Sequence, residues 1–328
     1  MKKILCLAAV LVTALSVVLI NPVEDSNEIS QTGQSTSEYT PQINSSTQVE
    51  IKQEGYPLNK DNMIVSGDKG GGTETGLSPL MKITYIPTEN ENNYSDEKKS
   101  HSHGPASGGK AHHTVVGFQK EFDKFSAVTL DTVSKEKVLY LTFDCGYEYD
   151  NLTTDVLDTL KEKNVPAAFF CTLDHIKAEP DLISRMIKEG HIVGNHSSTH
   201  PSFAEISRSQ MAKEIEDTEN YLRENFGYCA RFFRFPKGEY TESSLDLVAS
   251  LGYMSVFWSV AYDDWDTSNP HGKEYAVNRV MSRLHNGAVI LLHSVSKDNA
   301  EALGEIIDKA RAEGYEFRSL TQLAETVL

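Results

Sequence analysis

The chain has 328 residues, and its 47 acidic against 31 basic residues give a formal net charge of −16 at pH 7. Binding to a phosphate backbone depends on clustered Lys and Arg, so this balance excludes a nucleic-acid partner and favours an uncharged or mixed ligand such as a glycan. Cys6 falls in an N-terminal apolar run; the remaining Cys145, Cys171 and Cys229 are odd in number, which excludes a closed disulfide framework.

Lys2 and Lys3 precede an apolar run over residues 4–20, and a polar stretch from Asn21 follows, which makes residues 1–22 an export segment. The run lies near the ~17-residue lower limit for spanning a bilayer. A cleaved signal peptide and a retained membrane anchor are both open, and membrane association rests on this segment alone. Residues 23–114 are dominated by Ser, Thr, Asn, Gln and Gly, with no sustained apolar period. Such a stretch cannot bury enough apolar surface to offset its ordering entropy, and a mostly disordered linker is expected. His101, His103, His112 and His113 lie within it and read as part of a solvated tether that can bind metal only adventitiously.

From residue 115 short β-branched or aromatic runs alternate with amphipathic stretches, the signature of βαβ units and a parallel sheet. Strands are predicted at 138–144, 167–171, 191–196, 230–235, 254–260, 288–293 and 315–320, with helices near 151–163, 179–189, 207–225, 243–251, 274–285, 298–313 and 321–327. Seven such repeats fit a closed or nearly closed barrel or a doubly wound sheet, and periodicity alone does not choose.

In either fold, sites form where loops converge at the carboxyl ends of strands. Asp144 and Cys145 follow the first predicted strand, His196 and His200 the third, Asp263 and Asp264 the fifth; Arg234 falls late in the fourth and His293 closes the sixth. A carboxylate ending an apolar strand, as Asp144 does, is costly to desolvate without a partner, which Arg234 or a metal could supply. The spacing of His196 and His200 sets two imidazoles on one face of a helical turn, where they can share a cation. For His293 at the end of Ile290-Leu291-Leu292, Asp263 or Asp264 can hold the tautomer and raise the pKa. Trp265 is either core packing or a wall for a sugar ring.

Thr142-Phe143-Asp144-Cys145-Gly146, His196-Ser-Ser-Thr-His200-Pro201, Arg234-Phe235-Pro236-Lys237-Gly238, Asp264-Trp265 and Leu291-Leu292-His293, in this order, resemble the five motifs of the polysaccharide deacetylase family, the NodB-homology fold of carbohydrate esterase family four. Within it, Gly146-Tyr147-Glu148, Lys237 and the run from His293 to Leu303 resemble the sporulation enzymes that make muramic δ-lactam in spore cortex peptidoglycan.

The resemblance implies an α/β fold, a distorted (β/α)7 barrel over residues 115–328, and hydrolytic de-N-acetylation of peptidoglycan amino sugars. Asp144 is then the general base, positioned by Arg234, and His293 the general acid, oriented by Asp264. His196, His200 and Cys145 hold a divalent metal, zinc first and cobalt or another divalent ion second. Lys237, Gly238, Trp265 and Tyr147 meet the substrate, and the Lys237 backbone N–H holds the oxyanion. The partner is a peptidoglycan glycan strand already stripped of peptide by an N-acetylmuramoyl-L-alanine amidase, and the place an extracytoplasmic one, the intermembrane space of the forespore. The family has a second Asp where this chain has Cys145, so three readings of Cys145 stand open: a zinc ligand, a non-ligating residue, or a disulfide partner of Cys171. Two alternatives accompany the main reading: a vegetative N-acetylglucosamine deacetylase acting on intact wall, and a catalytically silent glycan-binding module.

Overall fold

The computed structural model describes residues 79–80 and 82–327; the export segment at 1–22 and the linker before residue 79 lie outside them. No helix among the described residues is long and apolar enough to cross a membrane.

All seven predicted strands form, and all run parallel. At the centre stands β3 (Val138–Cys145), an eight-residue apolar strand. It pairs on one side with β4 (Ala167–Cys171), which continues the sheet to β5 (Ile192–Asn195), β6 (Phe232–Phe233) and β8 (Met254–Val256). On its other side β3 pairs with β9 (Ala288–His293), and at its start with β10 (Glu316–Phe317). Past β8 the chain bridges back to β9 through Val260 and Ile290, so the sheet curls almost shut as a distorted barrel. A short strand β2 (Ala127–Val128) flanks β8.

Helices α2 (Leu152–Lys163), α4 (Pro180–Lys188), α5 (Arg208–Phe226), α6 (Glu242–Ser250), α7 (Lys273–Met281), α8 (Lys297–Ala312) and α9 (Leu320–Val327) all fall where the periodicity predicts them. Their ends follow local chemistry: a capping box between Ser207 and Gln210 starts α5, and Gly227 in the left-handed conformation stops it.

Side chains alternate across the sheet with period two. Val138, Tyr140, Ala168, Phe170, Val256 and Val289 fill the barrel interior. Leu139, Leu141, Phe143, Cys145, Phe169 and Cys171 pack outward with the apolar faces of the helices, among them Val156, Leu157, Ile183 and Ile306. This alternation decides which motif residues can reach the mouth.

The expected boundary at residue 115 is not where packing begins. Residues described from 79 onward lie against the domain: Asn220 exchanges two side-chain hydrogen bonds with the backbone of Ile83, and β1 (Lys99–Ser100) pairs antiparallel with β7 (Glu239–Tyr240). His101 is buried among Phe118, Phe122, Phe257 and Trp258, and its backbone N–H donates to the Gly238 carbonyl. The polar composition conceals this because much of the stretch binds through backbone groups and isolated side chains. A helix α1 (His113–Phe122), also unpredicted, buries Val115, Gln119 and Phe122 at helical spacing. A chain starting at Val115 is therefore expected to be at least about 2 kcal/mol less stable than one starting at Pro79, lowering Tm by roughly 4–8 °C. Calorimetry of the two proteins checks this, and equal Tm values would mean that residues 79–114 add nothing to the fold.

Candidate active site

The carboxyl ends of the strands open into a cleft of about 730 Å³ whose lining includes Asp144, His196, His200, Lys237, Gly238, Tyr147, Trp265 and His293. On β3 the pleat turns Asp144 inward together with Thr142 and Tyr140. Arg234, with no exposed side-chain surface, spans the barrel beneath them. Its Nη1 donates to Asp144 Oδ1 at 2.7 Å, Nη2 to Thr142 Oγ1 at 2.9 Å and Nε to the Val256 carbonyl at 2.9 Å. The guanidinium lies 4.1 Å over the Phe170 ring. A Cβ on Gly194 would come within 2.5 Å of that ring, so the next strand must carry glycine to admit it. Burial pushes the Asp144 carboxyl up, but Arg234, then His196 and His293, outweigh it and hold the group below its usual range. Asp144 is thus an ionised carboxylate with one oxygen clamped and the other open to the cleft.

His196 and His200 meet across the mouth with ring centroids 4.8 Å apart, but not on a helical turn. Residues 196–200 form a loop in which Ser197 (φ 69°) and His200 (φ 59°) take the left-handed conformation, sparsely populated for non-glycine residues. The loop is fixed from outside. Glu214 on α5 accepts from the backbone N–H groups of Ser198 and Thr199 and from the Thr199 hydroxyl, while Asn195 Oδ1 accepts from Ser197 N. His196 Nδ1 donates to the Arg234 carbonyl at 2.8 Å, which leaves Nε2 with its lone pair 3.6 Å from Asp144 Oδ2. Burial pushes His196 down to about 4 and lowers His200 as well, so both rings are neutral at pH 7. Two neutral imidazoles beside a carboxylate are a donor set that fits a divalent cation.

Beside Asp144, in register with it across the β3–β9 pair, His293 closes β9. Its Nδ1 lies 2.7 Å from Asp264 Oδ1 and its backbone N–H donates to Oδ2 at 2.8 Å; Asn299 secures the same carboxylate. Of the two neighbouring acids, it is therefore Asp264 that holds the ring. Burial lowers the His293 pKa, but the Asp264 carboxylate more than reverses it and raises it to about 9.

Trp265 is 62 % exposed and Tyr147 51 %, so both are aromatic faces at the mouth, and the core-packing reading of Trp265 falls. Lys237 lines the cleft with left-handed backbone (φ 59°, ψ 4°). Gly238 follows at φ +65°, and a Cβ there would lie 2.8 Å from the Trp258 ring. Sequence reasoning missed Trp258, His101 and His103 at this wall; Trp258 Nε1 donates to His103 Nδ1 at 3.3 Å. His101 and His103 stand out in the sequence, but the pairing of β1 with β7 that brings them to this wall does not.

Cys145 is the misplaced member of the predicted metal shell. One residue past Asp144, it is fully buried on the helix side of β3, and its Sγ lies 3.3 Å from Ser294 Oγ. It does not line the cleft. The same pleat that aims Asp144 inward aims Cys145 outward. Among the described residues, the three potential ligands whose donor atoms all lie within 4.8 Å of one another are Cys145, Cys171 and His175, not Cys145 with His196 and His200. Cys145, Cys171 and Cys229 are all free thiols.

The sequence profile of the polysaccharide deacetylase family matches residues 131–256. The peptidoglycan-N-acetylmuramic acid deacetylase PdaA of Bacillus subtilis is 40% identical over 227 residues, covering 69% of this chain and 83% of the relative. This chain belongs to the polysaccharide deacetylase family. A peptidoglycan-N-acetylglucosamine deacetylase of Bacillus cereus is 33% identical over 190 residues, 57% of this chain and 68% of its own length. The solved structure of the Bacillus subtilis PdaA, described as a family 4 carbohydrate esterase, superposes with TM-score 0.66 at 37% identity, covering 70% of this chain and 97% of that one.

In this family member the pair formed by His293 and Asp264 has a measurable signature. A raised pKa means that the charged imidazole stabilises the fold fully below about 6.5 and that this contribution fades as pH climbs through about 9. In the metal-free protein the His293 ring is expected to titrate near 9 by NMR, and Asp264→Asn to bring it down by more than about one unit. Titration near 6.5 in the unaltered protein would contradict the pairing.

Proposed function

We propose that the chain hydrolyses the acetamide of peptidoglycan amino sugars, acting on N-acetylmuramic acid already freed of its stem peptide, and that the product leads to muramic δ-lactam in spore cortex. The single observation that carries the chemistry is an ionised carboxylate and a protonated imidazole side by side at the ends of two paired strands, β3 and β9, in one cleft. Asp144 is held charged by Arg234, and His293 is held charged by Asp264. The substrate assignment is supported by the N-acetylmuramic acid specificity named for the relative that is 40% identical.

Asp144 Oδ2, the oxygen that Arg234 leaves free, takes a proton from the attacking water as it adds to the acetamide carbon. A divalent cation held by His196 and His200, zinc in the first place and cobalt in the second, would supply Lewis acidity to the carbonyl. The backbone N–H of Lys237 faces the developing oxyanion. His293 Nε2 then gives its proton to the amine nitrogen as the C–N bond breaks, and Asp264 keeps Nδ1 occupied so that Nε2 is the one presented. Acetate and a free amino sugar leave.

Lys237 is the one lysine or arginine among the described residues that line the cleft. In a muramic acid without its peptide the lactyl group ends in a carboxylate, and Lys237 supplies the matching charge; Trp265 and Tyr147 offer faces for the sugar rings. The amine released next to that lactyl carboxyl is the group that closes the lactam. The reaction class upstream is an N-acetylmuramoyl-L-alanine amidase, and the setting extracytoplasmic, the intermembrane space of the forespore, with residues 1–22 as signal or anchor.

One observation favours a second reading, a silent glycan-binding module: Cys145, at the position where the family's third metal ligand would stand, is turned away from the cleft that His196 and His200 line. Acetate release from peptide-stripped peptidoglycan separates the two. Turnover is expected in the unaltered protein, to disappear in Asp144→Asn, and to slow by ~10²- to 10⁴-fold in His293→Ala. Muropeptide mass spectrometry is expected to show deacetylated muramic acid; glucosamine alone would favour the vegetative alternative, and binding without acetate release the silent module.

A further inference from the structure

Behind the cleft, on the helix side of the same strand ends, Cys145 and Cys171 face each other in register across β3 and β4. Two residues after Thr172, which caps the short helix α3 (Leu173–Ala178), Asp174 turns toward the cleft and His175 turns inward. His175 is 1% exposed, and neither ring nitrogen has a hydrogen-bond partner. A buried imidazole with both nitrogens unpaired is costly, and such groups call for an explanation. One donor atom of His175 lies with the two sulfurs inside a 4.8 Å triangle.

We propose that Cys145, Cys171 and His175 form a second metal site, separate from the catalytic cleft, for a thiophilic divalent cation of the zinc class. Bond lengths of about 2.3 Å to sulfur and 2.0 Å to nitrogen set tetrahedral donor separations of roughly 3.5–3.8 Å, so the three groups need close only slightly. Charge selects the ion. Two thiols lose their protons to solvent as the cation enters, and two thiolates with one neutral imidazole balance a divalent charge, whereas a monovalent ion would leave a buried net negative charge. Burial pushes the Cys171 thiol well up and His175 down to about 4, so without a cation the Cys171 thiol keeps its proton and the His175 ring carries no charge. Ser294 Oγ, 3.3 Å from Cys145 Sγ, offers an oxygen for a fourth position.

The site would fasten together the pieces that frame the catalytic cleft. Cys145 adjoins Asp144 and Gly146, Cys171 adjoins Thr172, and Thr172 already bonds back to the Cys145 and Gly146 carbonyls. A cation here ties the ends of β3 and β4 and the start of α3 from behind, without occupying the substrate's space.

Cobalt(II) is the probe, because thiolate ligation produces a near-ultraviolet charge-transfer band that imidazoles and carboxylates do not. With the full-length chain, reduced and then freed of reductant, the band is expected to appear as cobalt is added and to be displaced by zinc, and in His196→Ala/His200→Ala, where the cleft site is removed, to saturate at one cobalt per chain. It is expected to persist in His196→Ala/His200→Ala and to vanish in Cys171→Ser and, separately, in His175→Gln, with circular dichroism confirming the fold of each. No band in the unaltered protein would overturn the proposal. So would a band that survives Cys171→Ser and His175→Gln, a band lost in His196→Ala/His200→Ala, or a Cys145–Cys171 disulfide found by mass spectrometry of the unreduced protein. The wild-type and double-histidine measurements leave the proposed ligands untouched and decide the question even if a ligand variant fails to fold.

Discussion

The pleat of β3 is the constraint on which the rest depends. Thr142 and Asp144 point into the barrel because Phe143 and Cys145 point into the helix layer, and a regular, unbulged strand turns successive side chains to opposite sides. Arg234 can therefore bind Thr142 and Asp144 together from below. The carboxylate at the cleft and the thiol behind it are neighbours in sequence and strangers in chemistry.

The buried pair of Arg234 and Asp144 would be expensive if it stood alone, since removing two charges from water outweighs a bare Coulomb attraction. It is offset by the other contacts of the guanidinium: hydrogen bonds to Thr142 Oγ1 and to the Val256 and Phe257 carbonyls, with the Phe170 face beneath. On the neighbouring strand the sign is mirrored, with Asp264 and Asn299 fixing a protonated His293. His196 and His200 lie beside Asp144 in the same cleft, kept neutral by burial and therefore free to offer lone pairs. Asp144 and His293 are each pushed away from the solution pKa in the direction the proposed role requires, which is the pattern of a working acid–base pair.

Most of the barrel was legible because buried parallel strands are continuous apolar runs and helices carry a 3.6-residue period, as at 138–145 and 208–226. Asp144, Arg234, His196, His200, Asp264 and His293 converge for the same reason: strand ends meet at one mouth. The reading failed wherever a single-residue phase mattered. Cys145 was grouped with Asp144 by adjacency, although alternation separates them. His196 and His200 were placed on a helical turn, although Ser197 and His200 reach their contact through left-handed backbone held by Glu214. Residues 79–114 were read as linker because composition reports apolar content, and this stretch is fixed by edge pairing and by His101 in an aromatic nest. The unpaired nitrogens of His175 have no sequence signal at all.

Anomalous diffraction at the zinc edge from crystals grown with zinc tests the face assignment most directly. The account predicts an ion bonded to imidazole nitrogens of His196 and His200 on the Asp144 side of β3, with Cys145 out of its reach. An ion bonded to Cys145 together with His196 and His200, or a cleft whose imidazoles turn apart and hold none, would contradict it.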